Sequence, residues 1–307
     1  MSVITLGTMA FDAIETPFDK IDRIVGGSAT YVAYAASHLV KPVRQISIVG
    51  EDFPMTEMEE LKSRGVEVEG VKIVEGGKSF FWSGKYHLDM NTRDTLITDL
   101  NVLADFDPIV PASYQESEFL MLGNLMPNLQ MSVINQMNKR PKLIVLDTMN
   151  FWMETALADL KKALGMIDVL LINDSEARQL SDEFSLVKAA RKILTMGPKY
   201  LIIKKGEHGA LLFHENHVFF APALPLEDVF DPTGAGDSFA GGFIGHIART
   251  KDISFDNMKT AIIVGSAMAS FCVEKFGPQR LKEITRADID VRLAEFVQLV
   301  NFDIDLV

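Results

Sequence analysis

From residue 231 to residue 237 the chain reads Asp231-Pro232-Thr233-Gly234-Ala235-Gly236-Asp237, and a helical apolar pattern begins immediately afterwards. Gly234, Ala235 and Gly236 bring backbone N–H groups close together with almost no side chain in the way. A helix opening here adds unpaired N–H donors and the positive end of its macrodipole. Such a cradle suits a phosphoryl group, whose charge would be stabilised there as it shifts in a transition state. Asp237 falls in the first helical turn and could accept a proton from an attacking hydroxyl. A loose phosphoryl-transfer transition state needs positioning and charge stabilisation more than a strong base, so an ordinary carboxylate is adequate. By itself, Gly-Ala-Gly-Asp is equally readable as a glycine-rich loop with a capping aspartate.

These residues need a rigid frame. Val3 to Leu6 reads as a buried strand closed by Gly7, and Ala29 to Leu39 as a small-residue helix entered from Gly26-Gly27-Ser28. Val43 to Val49 is strand-like, and Met55 to Arg64 is an amphipathic helix stopped by Gly65. Lys78 to Leu100, with Phe80, Phe81, Trp82 and Tyr86, reads as aromatic strands of a small sheet with one exposed face. Apolar runs at 119–122, 143–146, 169–172 and 200–203 then alternate with helical patterns near 129–137, 154–164, 175–180 and 186–196. Long helices close the chain near 235–249, 255–273 and 286–300. Short apolar strands separated by amphipathic helices indicate βα units on a mostly parallel sheet.

The string Asp231 to Asp237, continued by Ser238-Phe239-Ala240-Gly241-Gly242-Phe243, resembles the C-terminal signature of the PfkB/ribokinase family of small-molecule kinases. Four further segments are similar to that family's motifs, in its order: Gly7 to Asp12, Gly26-Gly27, Asn173-Asp174-Ser175-Glu176, and Lys204-Lys205-Gly206-Glu207-His208-Gly209. The resemblance implies one ribokinase-like domain over residues 1–307. This would be a three-layer α/β/α sandwich with a mostly parallel central sheet and a small strand-built lid from segments near 10–25 and 76–100. It implies transfer of the ATP γ-phosphoryl group to a hydroxymethyl group of a neutral sugar or ribonucleoside, with Mg2+ and, in many members, K+. Asp237 would be the base, and the amides of Gly234, Ala235, Gly236 and Asp237 the anion hole. Asp12, Gly26, Gly27, Asn124 and Asn150 would bind the acceptor. Asn173, Lys204, Gly206, Glu207, Gly209 and Ser266 would lie along ATP. Glu176 would act on magnesium through water, and Asp231 and Thr233 match two positions of a monovalent-cation site. A homodimer through the lid is a further expectation.

Plainer roles stay open for several of these residues. Asp12 could serve a turn, Asn173 and Glu176 a helix cap, Lys204 a solvated strand end, and the lid aromatics simple sheet packing. The sequence also departs from the family. Tyr31 stands where many members have asparagine, and Asp147-Thr148-Met149-Asn150-Phe151-Trp152 lacks the arginine of an Asp-x-Asn-x-Arg pattern. No charged clamp for a substrate carboxylate or phosphate is evident, so a neutral polyol, sugar or nucleoside fits better. A nucleotide-binding regulator without turnover and a polyol or inositol kinase are the alternatives.

Composition narrows the field further. Lysine and arginine number 30 against 42 acids, a net charge of −12, so the average field repels nucleic acid. The single cysteine, Cys272, precludes an intrachain disulfide and reads as packed in an apolar helix. The N-terminal segment lacks a basic region, and the run from Ala261 to Val273 is shorter than the roughly 20 residues that span a bilayer, so no membrane partner and a cytoplasmic location are expected. Gly77-Lys78-Ser79 fails as a phosphate loop because the first glycine would fall at Lys72. No Gly-x-Gly-x-x-Gly string supports a nicotinamide dehydrogenase, and His214-Glu215-Asn216-His217 reads as a surface turn rather than a metal pair.

Overall fold

The computed structural model describes residues 2–301. Strand β1 (Val3–Leu6) is buried along its whole length. The chain then leaves for an antiparallel pair, β2 (Ala10–Glu15) and β3 (Lys20–Gly26), and returns through α1 (Ser28–Ser37) to β4 (Val43–Gly50). Helix α2 (Met55–Ser63) leads to β5 (Val66–Val74), and a second excursion forms β6 (Phe80–Tyr86) and β7 (Arg93–Asp99). Regular alternation follows: β8 (Phe119–Leu122), α3 (Pro127–Asn135), β9 (Leu143–Asp147), α4 (Asn150–Thr155), α5 (Leu157–Leu164), β10 (Val169–Asn173), α6 (Asp174–Ser181), α7 (Leu186–Leu194) and β11 (Tyr200–Lys204). A hairpin, β12 (Ala210–His214) and β13 (His217–Ala221), precedes the closing helices α8 (Ala235–Thr250), α9 (Phe255–Cys272), α10 (Gln279–Glu283) and α11 (Arg286–Val300).

The large sheet has nine strands in the order β13-β12-β11-β10-β9-β8-β1-β4-β5. It is parallel from β5 to β11, and only the last hairpin runs antiparallel. Successive side chains of one strand point to opposite faces, so a strand covered on both sides must be apolar throughout. Val169 and Leu171 enter one core with α1, α8 and α9, while Leu170 and Ile172 enter the other with Leu160, Ala177 and Ile193 of α5, α6 and α7. The result is a three-layer α/β/α sandwich.

Helix α8 lies close to two neighbours because its glycines carry no side chain. A Cβ at Gly241 would sit 2.5 Å from the Val32 carbonyl oxygen, and one at Gly242 would sit 2.9 Å from that of Val264. The helix expected over 154–164 is instead two helices, since Ala156 leaves helical geometry at φ −141°. That break lets Met153 and the Leu160–Leu164 face reach the same core.

Beside the large sheet stands a second, four-stranded sheet ordered β3-β2-β6-β7. Strand β7 is exposed throughout, whereas Tyr86 at the end of β6 is buried. Gly77-Lys78-Ser79 links β5 to β6, and Ser79 is tied to Asp52 by N–H and hydroxyl bonds of 2.8 and 2.7 Å. His214 and His217 face one another across the β12–β13 hairpin. Among the described residues no helix is long and apolar enough to cross a membrane, and Cys272 is fully buried.

Candidate active site

The parallel strands share one register. Asn173 stands opposite Lys204, and Leu171 stands opposite Asp147, so β9, β10 and β11 deliver Asp147, Asn173 and Lys204 to one edge of the sheet. In open α/β sheets the carboxyl ends of the strands form the ligand crevice. Lys204 Nζ lies 3.2 and 3.3 Å from the two Asp147 oxygens, in an ion pair largely removed from solvent. A Cβ on Gly236 would sit 3.1 Å from that ammonium, so Lys204 abuts the glycine run. Burial works against the Lys204 charge, but Asp147, Glu176 and Asp237 outweigh it and hold its pKa above the ordinary value.

The turn into α8 is shaped by Gly234, at φ +77°, a left-handed conformation that glycine adopts without strain. Asp231 braces it. Its carboxylate accepts from the Thr233 N–H at 2.8 Å and from the Gly277 N–H at 3.0 Å, and burial raises its pKa to about 6. Both carboxylate oxygens of Asp231 thus hold backbone, and Thr233 Oγ1 donates to Tyr86 Oη at 3.1 Å, tying the small sheet to the glycine run. The Ala235 N–H, one of the four expected anion-hole donors, bonds the Pro232 carbonyl at 3.2 Å. Among the described residues the amides of Gly234, Gly236 and Asp237 bond no protein acceptor. A cradle of three donors therefore remains, since the turn itself engages the fourth.

Asp237 sits in the first turn of α8, and no donor among the described residues is bonded to its carboxylate. Burial and the like charge of Asp147 lift its pKa above the carboxylate range, against the pull of Lys204 and Arg93. Glu176 forms a capping box with Asn173. Its N–H donates to Asn173 Oδ1 at 2.8 Å, and its carboxylate accepts from the Asn173 N–H at 2.7 Å. Burial raises its pKa to about 7. Asn173 and Glu176 are thus a helix cap whose acid also feels Lys204 and Asp147.

On the other flank, Asp12 is 4% exposed, and burial with the charges of Asp231 and Asp237 pushes its pKa to about 8. Gly26 has no side chain because the Asp12 carboxylate occupies that space, and Gly27, at φ +91°, lies against the Thr8 carbonyl. Gly206 and Gly209 both have positive φ in the turn after Lys204, which the Lys205 N–H closes on the Gly209 carbonyl at 2.8 Å. Glu207 lies exposed in that turn, and Ser266 is buried on α9. Asn91, in the β6–β7 connection, rests against Gly206.

Asn124 accepts from Trp152 Nε1 at 2.8 Å, and Asn150 bonds Gln179, so both anchor the loop after β9. The structure adds Asp147, Tyr31, Tyr86 and Arg93 to the residues around Asp237 and Asp12. For Asp147 a signal existed, since an acid closes an otherwise apolar strand; Tyr31 stood out as the departure from the family's asparagine and Tyr86 as an aromatic of the small sheet, whereas Arg93 becomes visible only once the two sheets are placed together. Among the described residues no cluster of three or more His, Cys, Asp or Glu side chains is arranged to hold a metal ion.

A cytidine kinase of Thermococcus kodakarensis is 26% identical over 259 residues, covering 82% of this chain and 91% of that protein. A nucleoside kinase of Methanothermobacter thermautotrophicus is 27% identical, covering 90% of this chain and 91% of its own. Among solved structures, the Burkholderia thailandensis nucleoside kinase in complex with inosine superposes with a TM-score of 0.76 at 23% identity, covering 98% of this chain and 99% of the other. The aminoimidazole riboside kinase of Salmonella enterica, with its riboside and an ATP analogue, gives 0.76 at 18% identity, covering 95% and 100%. At these identities the structures establish the fold. Residues 3–285 match the family described as pfkB family carbohydrate kinase, so the chain belongs to that family of enzymes, which transfer a phosphoryl group to an alcohol.

Proposed function

We propose that this enzyme transfers the γ-phosphoryl group of ATP to the hydroxymethyl group of a ribonucleoside, with Asp237 as base. The observation that carries the reading is the convergence at the α8 N-terminus: three unbonded amides, an adjacent carboxylate, and the Lys204 ammonium against Gly236. The amides and helix dipole would hold the γ-phosphoryl oxygens, and Lys204 adds positive charge where negative charge spreads in the transition state. Asp237 accepts the proton of the attacking hydroxyl; its raised pKa makes it a stronger base than an ordinary carboxylate while leaving it partly ionised near neutral pH.

Magnesium fits this donor set. It needs only one or two carboxylates besides phosphate oxygens and water, and Glu176, with Asp147 near it, supplies them. When bound, the ion would neutralise phosphate charge. Asp12 would hold ring hydroxyls. The small sheet would act as a lid that excludes water, a role supported by its contacts at Thr233 and Gly206. A nucleoside acceptor is favoured over a free sugar by the near full-length likeness to cytidine and nucleoside kinases and by the half-buried Phe81 and Trp82, on which a base could stack.

ADP release measured over a panel of ribonucleosides, pentoses, hexoses and inositols tests the reading. Turnover is expected with one or more ribonucleosides, and Asp237→Asn should keep ATP affinity while losing at least about 10²-fold in kcat. Near-full activity of that variant would remove Asp237 from its role, and turnover confined to free sugars would replace the nucleoside assignment.

A further inference from the structure

Thr233 stands immediately before Gly234, and all three of its polar groups are engaged. Its N–H donates to Asp231 Oδ1 at 2.8 Å, its carbonyl accepts from the Cys272 thiol at 3.5 Å, and its hydroxyl donates to Tyr86 Oη at 3.1 Å. The first partner belongs to the same turn and the second to α9. The third comes from the small sheet. Among the described residues it is the only hydrogen bond between that sheet and residues 231–237. Tyr86 ends β6 and is 5% exposed, although its cross-strand partner Arg93 lies on a strand exposed throughout. The side chains of such a pair share one face. The Arg93 charge acts on both Asp237 and Glu176, so this rung of the small sheet faces the crevice.

The Thr233 carbonyl and the Gly234 N–H belong to one planar peptide unit and point in opposite directions. With the carbonyl turned to Cys272, the N–H is turned away from α9. Gly234, at φ +77°, has no side chain to resist rotation of that peptide. The side chain of Thr233 is the remaining restraint, and what holds it is the small sheet. We infer that Tyr86 is a positioning residue: seated on Thr233, it aims the Gly234 amide at the phosphoryl group, and the cradle is complete only while the small sheet is in place. The inference rests on the kinase reading above and adds a condition to it. Preorganised donors stabilise a transition state only when they are already aimed. Building one restraint of the cradle into the cover withholds that stabilisation until the cover is seated.

Tyr86→Phe keeps the ring and removes the bond, Thr233→Val removes it from the other side, and Thr233→Ser keeps the hydroxyl. Steady-state ADP release would be followed for these variants and for the Tyr86→Phe/Thr233→Val double variant, with an accepted ribonucleoside and with no acceptor. The kcat of Tyr86→Phe is expected to fall about tenfold, the rate equivalent of one net hydrogen bond. The KM values for ATP and acceptor should hold, because the aimed amide acts in the transition state. Thr233→Val should lose the same factor, the double variant no more than either single one, and Thr233→Ser should stay near wild type. ADP formed without acceptor should fall in the same proportion, since attack by water uses the same cradle. An unchanged kcat in Tyr86→Phe or additive losses in the double variant would overturn the inference. So would a rise in acceptor-free ADP, which would assign the bond to keeping the cover shut. Wild type that releases no ADP with any acceptor would remove the kinase reading itself, an outcome distinct from active wild type matched by Tyr86→Phe.

Discussion

Asp12 and Glu176 keep their carboxyls where water reaches poorly, with pKa values near 8 and 7. Unfolding returns both to ordinary values near 4, so the native state binds protons that the unfolded state releases. Stability tied to these groups is complete below pH 4 and is lost as pH rises through 7 and 8. The half-buried His38 and the buried His246, whose pKa values are lowered by desolvation, act in the opposite sense but only below their ordinary value of 6.5. Between pH 6.5 and 8.5 the melting temperature of the free protein should therefore fall. Asp12→Asn should flatten that fall, and a slope unaltered by the substitution would show that Asp12 does not titrate in this window. At this scale the sequence was informative about type and poor about partnership. Asp237 and Asp12 stand out by motif, whereas the Asp147–Lys204 pair depends on two strands lying one apart in the sheet, which no local pattern reveals.

Among the elements, strands buried on both faces were the most legible, because continuous apolar runs such as Val169 to Ile172 have few other uses. Edge strand β5 was hidden, since Val66-Glu67-Val68-Glu69-Gly70 alternates and carries charge as a solvent-facing edge must. The 154–164 helix split at Ala156 for a tertiary reason, the separate docking of Met153 and the Leu160 face, and propensity does not encode it. Helix α6 has two demands at one terminus. Asn173 caps it, and Glu176 both completes the box and feels the lysine of the crevice. Aspartate caps as well as asparagine does, so Asn173→Asp should leave the unfolding free energy within about 1 kcal/mol of wild type. The added charge beside Glu176 should nevertheless weaken ATP binding severalfold, read by calorimetric titration. Loss of stability with unaltered ATP affinity would mean that position 173 serves the helix alone.

The molecule as a whole is two sheets meeting over one helix terminus. The large sheet was foreseeable from alternation, and the small one from its aromatic strands, but their contacts were not. Tyr86 meets Thr233 across 147 residues of sequence, and Asn91 meets Gly206 across more than a hundred. These are two of the points at which the first third of the chain touches the last, and under the proposed function they would place the acceptor side and the nucleotide side under one cover.

Gly206 has a consequence of its own. Its bare Cα is the seat on which the Asn91 side-chain amide rests, and a methyl there would push that amide off its seat. Gly206→Ala, also strained at φ +54°, should leave the cover ajar and admit water to the phosphoryl group. ADP formed with no acceptor present should then rise relative to phosphorylated product, a leak measurable as uncoupled turnover, and a variant as tightly coupled as wild type would show that the hairpin does not seal the chamber. The smallest side chain in the protein would in that way decide whether ATP is used or wasted.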